Sequence, residues 1–325
     1  VDEEARSRGT SVYLVDRTVP MLPEKLCNKV CSLRPNEEKL TFSAVFELTP
    51  LGRIVGQWFG KTVIYSDYRF AYEDAQKIID APDAAHEEVP ADIKDAVLTL
   101  HGLASKLRKK RFAAGAISFD RPEMKVEVDE KGRPINVYQK VTKEANWLIE
   151  EFMLLANRTV AESVGKVPKN QKAKVIPYRI HDTPDPSKLM KLGEFVSKFG
   201  YKIKTQGTKG EISKNLNKLL SDVHGKAEQN VIEMVTLRAM MKAKYSIHNI
   251  GHYGLAFQYY THFTSPIRRY PDLLVHRLLT KYATGGRSVN PLKYEELCEQ
   301  CSEAEQTAAL AERASIKYKQ VEFMK

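Results

Sequence analysis

Between Gly251 and Arg277 the chain reads GHYGLAFQYYTHFTSPIRRYPDLLVHR, a stretch dense in side chains that could do chemistry. Tyr253, Tyr259, Tyr260, Phe263 and Tyr270 are interleaved with Arg268, Arg269 and Arg277, and His252, His262 and His276 lie among them. Rings stack on bases whatever their sequence, and guanidinium groups grip phosphates bidentately, so this mixture suits a single-stranded nucleic acid. Thr264 and Ser265, just before Pro266, resemble a helix start whose free N–H groups would face a phosphate. Tyrosines also fill cores, so from the residues alone a buried loop remains the alternative.

Charge points the same way. Lys and Arg total 51 against 41 Asp and Glu, a formal +10 over 325 residues. Such a field attracts polyanions, nucleic acid foremost, although a basic balance can also serve solubility alone. With 42% apolar and 28% charged residues the chain can bury a substantial core, which excludes disorder for most of its length. No apolar run approaches the ~18 residues of a spanning helix, and no charged start with an apolar core of signal-peptide type opens the sequence. A cytoplasmic protein with no membrane partner is the expectation. Cys27 and Cys31 have no histidine nearby, and Cys298 and Cys301 sit in a Glu- and Ala-rich helical stretch, so neither a disulfide framework nor a zinc site is expected.

These side chains need a scaffold, and hydrophobic periodicity sketches one. Thr10 to Asp16, Leu40 to Leu48 and much of residues 53 to 72 alternate in the manner of strands. Residues 116 to 141 read as a hairpin folding about Asp129 to Gly132. Asp92 to Ala113 places Ile93, Val97, Leu100, Leu103, Ala104 and Leu107 on one helical face, with Gly115 as the cap. After Thr142 the helical period takes over. Helices are predicted for Lys143 to Val164, closed by Gly165, and for Ser187 to Phe199, N-capped by Ser187 and closed by Gly200. Further helices are predicted for 228 to 245, for 273 to 283, and for Tyr294 to Lys325, which holds no proline or glycine. Ala173 to Ile180 reads as extended. The pattern predicts an α+β fold, a mixed or antiparallel sheet surrounded by helices, with a strand-rich first half and a helix-rich second half. No linker interrupts it, so one domain over 1–325 is expected.

The string HYGLAFQYYTHFTSPIRRYPDLLVHR resembles the signature of the ribonuclease II and ribonuclease R family, whose catalytic domain is called RNB. RGTSVYLVD, MLPEKLCNKVCSLRPNE, AISFDRPE, EANWLIEEFMLLAN, YRIHDTPDP and AERASIKY match the family in the same order along almost the whole chain. YRIHDTPDP and the FTSPIRRYPDL spelling favour the bacterial ribonuclease R branch. The resemblance implies a processive 3′-to-5′ exoribonuclease that takes single-stranded RNA, releases nucleoside 5′-monophosphates and uses Mg²⁺ held by an aspartate cluster.

It also implies roles for individual residues. Arg268 matches the arginine that holds phosphates near the scissile bond, and Glu312 a glutamate near the active site. Arg269 is a further phosphate candidate beside it. Tyr13 matches the tyrosine that stacks at the 3′ end and sets the smallest product, and Phe119 an aromatic at the other end of the base stack. Tyr72 and Glu150 match a pair that senses the ribose. Glu151, about 100° further around the helix, should be indifferent to it.

One departure stands out. The family's aspartates fall within about ten residues of one another, whereas the closest aspartate pairs here, such as Asp80 with Asp83 and Asp182 with Asp185, do not form that cluster. The Mg²⁺ ligands are expected upstream of Val1, with oligonucleotide-binding barrels on either side. The chain opens without Met and stops inside a helical pattern, so a truncated RNB domain, inactive as it stands, is expected. The alternative is a noncatalytic RNA-binding scaffold of the same fold, and a weaker third reading is a basic metabolic enzyme for a phosphorylated small molecule. Protein partners are not legible.

Overall fold

The computed structural model describes residues 1–84, 88–117 and 123–325. A short helix α1 (Asp2–Arg8) precedes the ribbon β1 (Val12–Tyr13) and β2 (Thr18–Val19) and the long ribbon β3 (Glu38–Leu48) and β4 (Ile54–Tyr65). Helices α2 (Tyr72–Asp80) and α3 (Ala91–Ala113) lead to the hairpin β5 (Glu123–Val128) and β6 (Pro134–Lys140). There follow α4 (Glu144–Gly165), β7 (Tyr178–Ile180), α5 (Pro186–Ser197), α6 (Lys209–Val223), α7 (Gln229–Ala239), β8 (Lys244–Ser246), α8 (Tyr270–Ala283) and α9 (Pro291–Phe323). This is the expected α+β arrangement. Pairing between named strands is antiparallel, but among the described residues it forms four separate two-stranded ribbons rather than one sheet.

Alternation decides which face of the long ribbon is covered. Phe42, Ala44 and Phe46 share a face with Phe59, the cross-strand partner of Ala44, and pack on Val160 of α4 and on Phe263, Val275 and Leu279. The other side of α4 is equally occupied. Ala161 meets Ile176, Tyr178, Ile180 and Leu278, and α5, α6 and α7 enclose a core around Leu192, Leu216 and Ile232. Cys298 and Cys301 are buried in a further cluster with Ala5, Met21 and Tyr270, where burial raises both thiols far above their ordinary range. In the β5–β6 turn the Asp129 carboxylate accepts N–H bonds from Lys131 and Arg133 at 2.9 and 2.8 Å, and Gly132 supplies the left-handed φ of 74°.

Several predicted boundaries move for identifiable reasons. Asp185, not Ser187, caps α5, because its carboxylate accepts from the N–H groups of Ser187 and Lys188 with Pro186 at the first turn. The helix expected over 228 to 245 ends at Ala239, because Lys244–Ser246 is drawn into a ribbon with Tyr178–Ile180. Gly165 does not terminate α4 through its backbone freedom. A Cβ there would stand 2.8 Å from the Tyr259 ring and closer still to the Tyr178 hydroxyl, so this glycine permits the helix to meet two aromatic side chains.

Candidate nucleic-acid interface

The segment around β1 is fastened on both sides. The Tyr13 N–H donates to Glu312 Oε1 at 3.0 Å and the Val15 N–H to Ser315 Oγ at 3.1 Å, two groups on successive turns of α9. Ser11 N–H and Thr10 Oγ1 donate to the Arg268 carbonyl at 3.0 and 3.1 Å, and Tyr270 N–H to Gly9. Tyr13, Arg268 and Glu312, far apart in sequence, are thereby joined through one short strand. Tyr13 is 46% exposed, so it is not spent in a core.

The loop carrying Arg268 is held from beneath by two buried polar residues. Asn157 of α4 accepts the N–H groups of Phe263 and Thr264 at 2.9 and 3.2 Å, and its amide donates to the Tyr260 hydroxyl. Asp272, fully buried, accepts Ser265 N–H at 2.8 Å and two guanidinium bonds from Arg269, each 2.8 Å. His276 donates to the Phe263 carbonyl at 2.8 Å, and burial lowers its pKa so that it does so as a neutral ring.

This corrects one expectation. No helix begins at Pro266, where the backbone makes a single turn onto Ser265, and α8 starts at Tyr270. The N–H groups of Thr264 and Ser265 are already consumed by Asn157 and Asp272, so neither faces a ligand. The Thr264 hydroxyl is buried and has no partner among the described residues. Arg269 spends Nε and Nη2 on Asp272, whereas Arg268 makes no ion pair among the described residues, which leaves its fork for an external anion.

Glu150 and Glu151 behave differently from one another. Glu151 is 3% exposed and accepts from Arg111, itself 7% exposed, at 3.1 and 3.3 Å through Nε. Glu150 is half-open, with Arg111 Nη2 at 3.1 Å and Arg108 at 3.8 Å. The Arg108 guanidinium lies over the Trp147 ring at 4.4 Å. Tyr72, 47% exposed at the first turn of α2, lines a cleft of about 290 Å³ with Gln76, Lys143 and Asn146. Asn146 lies one helical turn from Glu150, and no hydrogen bond joins Tyr72 to Glu150 among the described residues. Phe119 lies outside the described residues.

The RNB domain family matches residues 1–285. The chain belongs to that family. Ribonuclease R 1 of Lactococcus lactis is 41% identical over 335 residues, covering 100% of this chain and 39% of that protein. Ribonuclease R of Aquifex aeolicus is 39% identical over 328 residues, covering 100% of this chain and 45% of that protein. Among solved structures, Mycoplasma genitalium RNase R in complex with ribose-methylated single-stranded RNA superposes with a TM-score of 0.87 at 27% identity, over 99% of this chain and 50% of that one. The chain thus spans half or less of the length of these RNB relatives.

The described residues do not fit the Mg²⁺ that RNB membership implies. Among them no group of three or more His, Cys, Asp or Glu side chains stands close enough to hold a metal ion. No helix among the described residues is long and apolar enough to cross a membrane. Asn157, Asp272 and Arg111 are not among the residues that motif or composition points to. A buried polar residue inside an apolar helix, as in LLAN, and an acid three residues after an arginine, as in RYPD, were the signals that could have found two of them.

Proposed function

We propose that residues 1–325 form one RNB catalytic domain of a cytoplasmic 3′-to-5′ exoribonuclease that hydrolyses single-stranded RNA to nucleoside 5′-monophosphates. The observation that carries this reading is the convergence of Tyr13, Arg268 and Glu312 through the Thr10–Tyr13 segment, with the arginine free of any ion pair among the described residues. An anion-binding fork and an open ring fixed to one strand suit the terminal nucleotides of RNA, the fork taking phosphate and the ring a base, without sequence preference. Asn157 and Asp272 hold the fork's loop rigid before substrate arrives, so little ordering is left to oppose binding. Glu312 accepts the Tyr13 backbone N–H and so fixes the strand that carries the ring. Of the Thr264 and Ser265 pair only the Ser265 hydroxyl is offered to substrate, since the Thr264 hydroxyl is buried. Arg269 reaches substrate chiefly through the loop it shapes with Asp272.

Tyr72 and Glu150 are the proposed ribose readers. A carboxylate only accepts and a phenol does either, so the pair satisfies a 2′-hydroxyl that deoxyribose lacks. Arg111 and Arg108 hold Glu150 in place for this. Magnesium belongs to the proposal as an ion that other carboxylates hold, and no step of the chemistry is assigned to it here. Titrating a labelled single-stranded RNA tests the reading. Tight, salt-dependent binding that weakens about tenfold or more on Arg268→Ala is expected, since a guanidinium–phosphate bond is charge-assisted. Equal binding by that variant would leave Arg268 without the role given to it.

A further inference from the structure

His262 precedes Arg268 on the same loop, and its surroundings are arranged around one ring nitrogen. The neighbours Thr261 and Phe263 are buried, 1% and 4% exposed, whereas His262 and Thr264 are half-buried. The His262 ring packs edge-on against the buried rings of Tyr245 and Tyr260, with centroids 5.5 and 5.6 Å away, while part of the residue stays exposed. Its Nδ1 lies 2.7 Å from the Tyr245 hydroxyl. That hydroxyl has no other partner among the described residues, so its proton goes to Nδ1, and a neutral imidazole then carries its own proton on Nε2.

Tyr245 is itself clamped. Its backbone N–H donates to Ser302 Oγ at 2.9 Å, and its ring lies under the Arg179 guanidinium at 4.7 Å, which pairs with Glu305 at 2.6 Å. The Nε2–H therefore points in a fixed direction, and no acceptor among the described residues meets it. Burial first, then the charges of Arg269 and Arg179, with Arg268 further down the order, hold the His262 pKa well below 6.5, so the ring donates without becoming a cation. Arg269 and Arg179 are balanced by Asp272 and Glu305, while Arg268 has no ion pair among the described residues. A lone N–H donor in net positive surroundings calls for an anionic oxygen.

We propose that His262 donates a hydrogen bond from Nε2 to a non-bridging phosphate oxygen of an RNA strand whose neighbouring phosphate is held by Arg268. The proposal rests on the RNA-binding reading above and adds a second, uncharged phosphate contact to it. A metal ion is not the occupant of this nitrogen, because Tyr245 donates to Nδ1 and thereby places the proton, rather than a lone pair, on Nε2.

The test is phosphate-by-phosphate substitution in the ligand. A set of single-stranded RNA oligonucleotides, each with one linkage replaced by an uncharged methylphosphonate, is titrated against the protein, His262→Ala, His262→Gln and Tyr245→Phe, with a urea midpoint recorded for each. His262→Ala is expected to bind unmodified RNA about tenfold more weakly, the size of one hydrogen bond to a charged group. At one linkage the methylphosphonate penalty seen with the unsubstituted protein should shrink in His262→Ala, while penalties elsewhere persist. His262→Gln, which keeps a side-chain N–H, should recover part of the loss at that linkage. Tyr245→Phe, which removes only the hydroxyl that fixes the tautomer, should show a smaller loss at the same linkage. A loss in His262→Ala that multiplies every penalty equally, or no loss at all, overturns the assignment and leaves the RNA reading standing. Failure of the unsubstituted protein to bind any of the oligonucleotides removes the RNA reading, and this contact with it.

Discussion

Replacing Glu151 by alanine separates a buried ion pair from an open one on the same helix. Glu151 and Arg111 are 3% and 7% exposed, so deleting the carboxylate strands a guanidinium away from water. Breaking such a pair from one side costs about 3–5 kcal/mol. Glu150, with its oxygen 3.1 Å from Arg111 Nη2, offers partial compensation, which places the expected loss near the lower end, about 3 kcal/mol. Glu150→Ala removes a 43% exposed partner and should cost about 0–1 kcal/mol. In urea denaturation, with a slope toward the upper end of roughly 1–3 kcal/mol per molar, Glu151→Ala lowers the midpoint by about 1 M and Glu150→Ala by a third of that or less. The paired replacement Arg111→Leu with Glu151→Leu should recover most of the loss, because neither charge is then left alone. Equal midpoints for Glu151→Ala and Glu150→Ala would refute this reasoning. The same geometry makes Glu151 the anchor of the arginine that holds Glu150.

Three further outcomes are expected, with turnover and cleavage rates read in the chain extended on its amino side through the expected aspartates. Arg268→Lys keeps the charge but loses the fork, so it should weaken RNA turnover by about 2 kcal/mol without moving the urea midpoint, whereas Arg269→Lys should act mainly on the midpoint because it disturbs buried Asp272. Tyr72→Ala with Glu150→Ala should narrow the ratio of initial rates on matched RNA and DNA oligonucleotides, mainly by raising cleavage of DNA; a lower RNA rate at an unchanged ratio would remove the ribose assignment. Acid should destabilise the fold through its buried histidines. Burial, then His181 and Arg179, hold His252 down to about 3 from its ordinary 6.5, so the unfolded chain binds the proton first. Stability from this group is complete above about pH 6.5 and falls on acidification at about 1.4 kcal/mol per unit, roughly 2 kcal/mol by pH 5, which the urea midpoints of the protein and of His252→Gln should display.

What the sequence revealed follows from the range of the interactions involved. The longest helix was readable because nothing between Tyr294 and Lys325 interrupts it, and the β5–β6 turn because Asp129 and Gly132 act within a few residues. Helix α6 lies outside the predicted helices although its start carries a local signal, the reciprocal capping box of Thr208 and Glu211. The end of α7 was misplaced because a distant strand, Tyr178–Ile180, overrides local helix preference at Lys244–Ser246. The site divides in the same way. Arg268, Glu312 and Tyr13 were named from motif resemblance, but the bonds that unite them join positions 13 with 312 and 11 with 268. Asn157 and Asp272 act through such non-local bonds, and so does Tyr245 on His262, which periodicity and composition do not encode.

The central claim is that these residues grip the 3′ end of RNA for stepwise hydrolysis. It is tested most directly by following 5′-labelled single-stranded RNA with Mg²⁺, using residues 1–325 and the same chain extended on its amino side through the expected aspartates. The extended protein should shorten the label from the 3′ end and release nucleoside 5′-monophosphates, while residues 1–325 bind the RNA without cutting it. With Tyr13→Ala, the extended protein should stop at longer limit products. Internal cleavage, or release of the 5′ label as a mononucleotide, would contradict the claim, and mononucleotide release by residues 1–325 alone would contradict the placement of the metal ligands.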